Sequence, residues 1–188
     1  IDSNHVHSFA WKSIPITDEH CPRDTALEAI LNPYKQEAEK KYSRVVTRLK
    51  RQLTHPSWYQ ETELGGFLAD ILQESLRLDM MLVGSGSIRV TELGPIILFS
   101  NLTECLPYDD SAIALWVTGA QLKKMILYML RDEVWEGAHC EFFQFSQGVG
   151  VIYDQANHRL KEFSLHGEPI EDDKIYKIGL QYYFYLNM

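Results

Sequence analysis

Apolar positions along the chain follow two periods, one near 3.6 residues and one of 2. Residues 8–16, SFAWKSIPI, alternate loosely and predict a strand, with a polar loop over 17–21. Leu27, Ile30, Leu31, Tyr34, Ala38, Tyr42, Val45 and Leu49 then recur at three-to-four spacing. They predict one long helix over 24–51, with Asp24 as its N-cap and an early kink at Pro33. LTHPSWYQ at 53–60 ends that pattern, and the compact domain is expected to begin there. Leu64, Phe67, Leu68, Ile71, Leu72 and Leu76 form a second helical stripe, and MMLV at 80–83 reads as a buried strand running into a Gly-Ser loop. An apolar run at 96–99, the loop LPYDDS at 106–111 and the strand AIALWV at 112–117 follow. Next comes a helix capped by Thr118, with Gln121 three positions on, that buries Leu122, Met125, Ile126, Met129 and Leu130. EFFQFS, GVGVIYD, LKEFSL and KIYKIGL are four further strand-like runs. The pattern predicts a mixed α and β domain.

Composition narrows the function classes. With 188 residues, 45% hydrophobic and 23% charged, the chain reads as one globular domain, or one domain plus a linker. A formal charge of −8 argues against a nucleic-acid partner. The basic run Lys35, Lys40, Lys41, Arg44, Arg48, Lys50 and Arg51 is interrupted by Glu37 and Glu39, and reads as a solvated face. Cys21, Cys105 and Cys140 are too scattered for a disulfide framework or a metal knuckle and read as buried thiols. No apolar stretch reaches the roughly 18 residues needed to span a bilayer, so no membrane partner is expected. The chain opens at Ile1 rather than Met, which leaves cytoplasmic and exported locations equally open.

The candidate chemistry centres on LVGSGSIRV, residues 82–90. A Walker loop requires Gly-Lys-Ser/Thr, which is absent, and a dinucleotide fingerprint requires a third glycine where Arg89 stands. A glycine turn after a strand can still free backbone N–H groups beside a cation, making an anion site. It is equally the form of an ordinary turn that uses φ > 0. No nucleophile–base pair stands out, since Ser85 and Ser87 lack the nucleophile-elbow context. His5 and His7 form a His-x-His pair, too few ligands for a metal centre, and a surface strand is the plainer reading.

Five segments in order, ETELGGFLADIL, LVGSGSIR, LPYDDSAIALWVTGAQLKKMI, FFQFSQGVGVIYD and GEPIEDDKIYKI, resemble the C-terminal domain of the 5'-nucleotidase and UDP-sugar hydrolase family from Glu61 onward. The resemblance implies an α+β fold in four layers, α/β/β/α, preceded by an interdomain helix. It implies that 1–23 end a preceding catalytic domain, 24–54 form the connecting helix, and 55–188 form the C-terminal-like domain, truncated at its end. In that family an N-terminal metallophosphoesterase domain holds a pair of divalent metals, Mn, Zn or similar, and the C-terminal domain recognises the substrate. The implied parent is therefore a hydrolase of nucleotide catabolism acting on phosphate esters. This chain alone is expected to be inactive and to bind no cofactor. Its expected partners are a nucleotide or other small phosphate ester and the N-terminal domain of the same protein.

Site residues follow from the same resemblance. Gly84, Ser85 and Gly86 form the substrate loop, Arg89 contacts phosphate, Tyr108 stacks on the base, Asp110 is a polar base contact and Tyr183 is the second ring. Four departures stand out. Gly84 replaces an asparagine, Glu63 begins the Glu-Leu-Gly-Gly that replaces Asn-x-Gly-Asn, Trp58 replaces a second arginine, and Met188 ends the chain where Asn-Gly-Gly-Asp would follow. They keep open an alternative, a binding or interaction module that has lost nucleotide recognition. Plainer readings also stand: Tyr108 caps the core, Asp109 and Asp110 are turn residues, Arg89 pairs with Glu92, the aromatic cluster 182–185 belongs to sheet and core, and Gln144 and Ser146 are strand and turn residues.

Overall fold

The computed structural model describes residues 6, 8–135 and 141–187. In chain order the elements are α1 (Thr25–Tyr42), β1 (Val45–Arg48), β2 (Leu53–Thr54), α2 (Glu63–Leu76), β3 (Met80–Gly84), β4 (Glu92–Leu93), β5 (Ile96–Leu98), α3 (Phe99–Cys105) and β6 (Ala112–Thr118). There follow α4 (Gly119–Met129), α5 (Asp132–Trp135), β7 (Phe143–Phe145), β8 (Val149–Asp154), β9 (Arg159–Leu165), β10 (Glu168–Pro169), β11 (Ile175–Gln181) and α6 (Tyr182–Asn187). The chain divides into two units, Ile1–Tyr42 and Ser43–Met188.

In the first unit, Asp24 caps α1 by accepting the backbone N–H groups of Ala26 and Leu27, each at 3.0 Å. Pro33 lies inside the helix, and none of the helix's residues is buried. The strand expected at 8–16 does not form, and Cys21 is exposed rather than buried. The His5 and His7 pair and Cys140 lie outside the described residues.

The expected helix to residue 51 is also corrected. It stops at Tyr42, and Val45–Arg48 form a strand paired antiparallel with β5. Three β-branched residues in a row, Val45, Val46 and Thr47, are stiff at χ1 and suit a pleated surface, so an available partner strand overrides the helical spacing.

The second unit is α+β. Its main sheet has the order β6-β11-β3-β7, with β11 parallel to β3 and the outer pairs antiparallel. Strand β3 is buried at all five residues because both faces are covered. On one face Met81 and Val83 pack with Leu64, Leu68 and Ala69 of α2. On the other, Met80 and Leu82 join Leu122, Ile126 and Met129 of α4 and Phe163 of the three-stranded sheet β10-β9-β8. The layers are α2, the four-stranded sheet, the three-stranded sheet and α4, in agreement with the four-layer α/β/β/α expectation.

The caps are legible in detail. Thr118 and Gln121 form a reciprocal capping box at the start of α4, and Thr62 caps α2 by accepting the Gly65 N–H. The apolar run at 96–99 is divided between β5 and α3. Tyr182–Asn187 form a short helix rather than sheet, and within it Phe184 alone reaches the core, packing edge-on against Phe143 at 5.0 Å between ring centroids.

Candidate functional site: a cavity beside the glycine turn

Strand β3 delivers Gly84 to the end of the main sheet, where it pairs with Phe143 of β7. That register brings Glu141 over the turn. A Cβ at Gly84 would lie 2.2 Å from the Phe184 ring and 3.0 Å from a Glu141 carboxylate oxygen, and one at Gly86 would lie 3.0 and 3.2 Å from the two carboxylate oxygens. The glycines therefore clear space for a ring and a carboxylate that belong to the protein itself.

Five backbone N–H groups between Gly84 and Arg89 are occupied as well. Gly84 donates to Gln181 Oε1 at 2.8 Å, Ser85 to the Phe142 carbonyl at 2.8 Å and Gly86 to a Glu141 carboxylate oxygen. Ile88 donates to the Ser85 carbonyl at 3.2 Å and Arg89 to the Cys105 carbonyl at 2.9 Å. At both glycines, the anion nest that the turn suggested is met by side-chain oxygens of the protein itself.

Ser85 faces inward. It is fully buried; its Oγ accepts Gln144 Nε2 at 2.9 Å, and its carbonyl accepts His55 Nε2 at 3.1 Å. Gln144, also fully buried, donates to the Gln60 carbonyl at 2.8 Å, and its Oε1 accepts the Thr62 N–H at 2.8 Å. His55 Nδ1 lies 2.8 Å from Thr62 Oγ1. A carbonyl can only accept, so Nε2 carries the proton, and the neutral ring takes the Thr62 hydroxyl proton at Nδ1. Burial holds the His55 ring below the ordinary histidine value, while the Ser85 carbonyl opposes this in part.

On the outer side, Gly86, Arg89, Tyr108, Asp110, Tyr183, Glu141 and Trp58 line one cavity of about 920 Å³. Gly84 and Ser85 are not among its lining residues. Arg89 rests on Trp58, with its Cζ 5.1 Å from the ring centroid, and Nη1 donates to the Gly86 carbonyl at 3.4 Å; no ion pair with Glu92 forms among the described residues. Tyr108 and Tyr183 are 59% and 60% exposed, so neither ring serves as a core cap. Asp110 accepts the Tyr183 N–H at 3.3 Å and the Ser111 N–H at 2.8 Å, which anchors the start of α6 and with it Tyr183.

Of the altered positions, Trp58 is in the cavity and Glu63 is not. Glu63 forms a bidentate pair with Arg51 at 2.5 and 2.7 Å, which holds its carboxyl below the usual carboxylate range. Glu141 is shifted the other way: burial pushes its carboxyl up, and the Gly86 N–H opposes this. Buried Cys105 is pushed up to about 11 by the same desolvation. The pattern of apolar positions missed Glu141, His55, Gln144 and Gln181. The one available signal was Gln144, a polar residue between Phe143 and Phe145 in a short strand. Ser146, expected in a turn, is buried and accepts the Met81 N–H at 3.0 Å.

Among the described residues no group of three or more His, Cys, Asp or Glu side chains is arranged to hold a metal ion. The described residues do not fit a two-metal centre. No described helix is long and apolar enough to cross a membrane.

The chain is similar to an uncharacterized metallophosphoesterase, YunD, of Bacillus subtilis (strain 168), at 26% identity over 176 residues covering 81% of this chain and 35% of that protein. Among solved structures, it resembles a 5'-nucleotidase precursor from Thermus thermophilus, with TM-score 0.69, 18% identity and coverage of 88% of this chain and 35% of that one. The NAD nucleotidase NadN of Haemophilus influenzae is also similar, with TM-score 0.62, 16% identity and coverage of 86% and 32%. The chain thus spans about a third of the length of each of these relatives. Residues 42–187 match the model of the 5'-nucleotidase C-terminal domain, so with the four-layer fold the chain belongs to that family.

Proposed function

We propose that residues 43–188 recognise the substrate of a 5'-nucleotidase-like metallophosphoesterase, with residues 24–42 connecting them to a catalytic domain outside this chain. The substrate class is a nucleotide or related phosphate ester. The observation that carries this reading is that a guanidinium, Arg89, and two largely exposed rings, Tyr108 and Tyr183, line one cavity of about 920 Å³, a size that suits a nucleotide. Arg89 would hold the phosphate, and the rings would take the base. Hydrolysis belongs, in this reading, to the divalent metal pair of the other domain, so the 188-residue chain is catalytically silent on its own.

NMR titration with AMP and with adenosine tests the reading. Arg89→Ala should weaken AMP more than adenosine, by about tenfold or more, because a charge-assisted contact contributes about 1.5–3 kcal/mol. Tyr108→Ala should weaken both alike, by about fivefold, since stacking contributes about 1 kcal/mol. Equal losses of both ligands in Arg89→Ala, or no binding by the unaltered chain, would overturn it.

A further inference from the structure

The glycine turn has a carboxylate seated in it. Glu141 accepts the Gly86 N–H, and a Cβ at Gly86 would lie 3.0 and 3.2 Å from its two oxygens, so a side chain there would crowd the carboxylate. The same carboxylate faces the cavity that Arg89 lines. A carboxylate offers about four acceptor positions, and the Gly86 N–H fills one. A phosphate entering the turn would compete for that N–H and meet a like charge. A hydroxyl would find an acceptor waiting. Arg89, a few residues along the same loop, commits one of its five N–H donors, to the Gly86 carbonyl, which leaves a fork for a phosphate. Cation and carboxylate therefore divide the cavity wall into two places of opposite preference.

We propose that Glu141 is a specificity-determining residue of this cavity: its carboxylate closes the glycine turn to phosphate and accepts a hydroxyl of the ligand there, as a sugar diol would supply. This assignment rests on the reading of the cavity as a nucleotide site. It turns the expected phosphate cradle into a hydroxyl reader and leaves Arg89 as the contact for the phosphate.

The test uses the 188-residue chain, Glu141→Gln and Glu141→Ala, each checked for folding by thermal melting. Titrants are inorganic phosphate, AMP and 2',3'-dideoxy-AMP. Glu141→Gln keeps an acceptor for Gly86 but removes the charge, and should bind inorganic phosphate about tenfold more tightly. The unaltered chain should prefer AMP to the dideoxy analogue by about fivefold or more, and Glu141→Ala should lose that preference. No gain for phosphate in Glu141→Gln overturns the assignment, as does a hydroxyl preference that survives in Glu141→Ala. If the chain binds neither nucleotide while phosphate binding rises in Glu141→Gln, the nucleotide reading fails and the closed turn stands.

Discussion

Ser85 and Gly86 are neighbours, yet they belong to different kinds of structure. Ser85 is fully buried and its polar atoms are spent on His55 and Gln144, whereas Gly86 opens onto the cavity and is matched by a carboxylate. On the buried flank Ser85, Gln144, His55 and Thr62 bond to one another, and among the described residues no buried side-chain nitrogen or oxygen lacks a partner. On the cavity flank Arg89, Tyr108 and Tyr183 keep much of their surface for something else. One flank holds the turn in place, and the other is available for recognition. Changes on the first should be read in stability, and changes on the second in binding.

The sharpest way to break this division is Gln144→Leu. It orphans the Thr62 N–H, the Gln60 carbonyl and the Ser85 hydroxyl together, and should cost about 2–4 kcal/mol, read as a shift in the urea midpoint. A loss below about 0.5 kcal/mol would mean that the buried network does not hold the turn. Gly84→Ala comes next, since its Cβ would meet the Phe184 ring at 2.2 Å; overpacking of this kind costs about 1–3 kcal/mol. Relief of that cost by adding Phe184→Leu would trace it to the ring, and persistence of the full cost would place it elsewhere.

His55 gives a smaller, pH-dependent effect. Its folded-state value is depressed, so between that value and the ordinary 6.5 the unfolded chain binds more protons than the folded one. Its contribution is fully present above 6.5 and is lost as pH falls from there toward the folded value. Urea midpoints should therefore decline with acidification across this window, and the decline should be shallower in His55→Gln; parallel profiles would refute the neutral buried ring. Trp58→Ala is the smallest. It removes an exposed cation–π contact worth about 0.5–1 kcal/mol, and should alter Arg89-dependent AMP affinity while leaving the urea midpoint nearly unchanged. A clear drop in stability with unchanged affinity would move Trp58 to the buried flank.

Periodicity is a good guide where one face is buried and every backbone partner is local. It gives α2, α4 with its capping box, β3 and the strands β7, β8, β9 and β11 close to their observed limits, and leaves out the two-residue strand β10. It fails at 45–51, where helical spacing and β-branched residues conflict and the paired strand β5, some fifty residues away, decides. Of the residues implied by family resemblance, Gly86, Arg89, Tyr108, Asp110 and Tyr183 line the cavity, but Gly84 and Ser85 do not. The occupation of the turn could not be read because Glu141 and Gln181 reach it through strand register across 55 and 97 positions of sequence. Local pattern carries no record of such register.

The bonds from the 106–111 loop to α6 have a practical consequence for redesign. Asp110 and Ser111 accept the backbone N–H groups of Tyr183 and Tyr182, so the segment that bears Tyr108 and the helix that bears Tyr183 are strapped together. The two rings ride on a single bracket. Retuning the cavity for a thicker or thinner ring system by shifting one tyrosine would drag the other with it. Selection for new ligands would therefore act on ring identity at fixed mounting points more readily than on the distance between them.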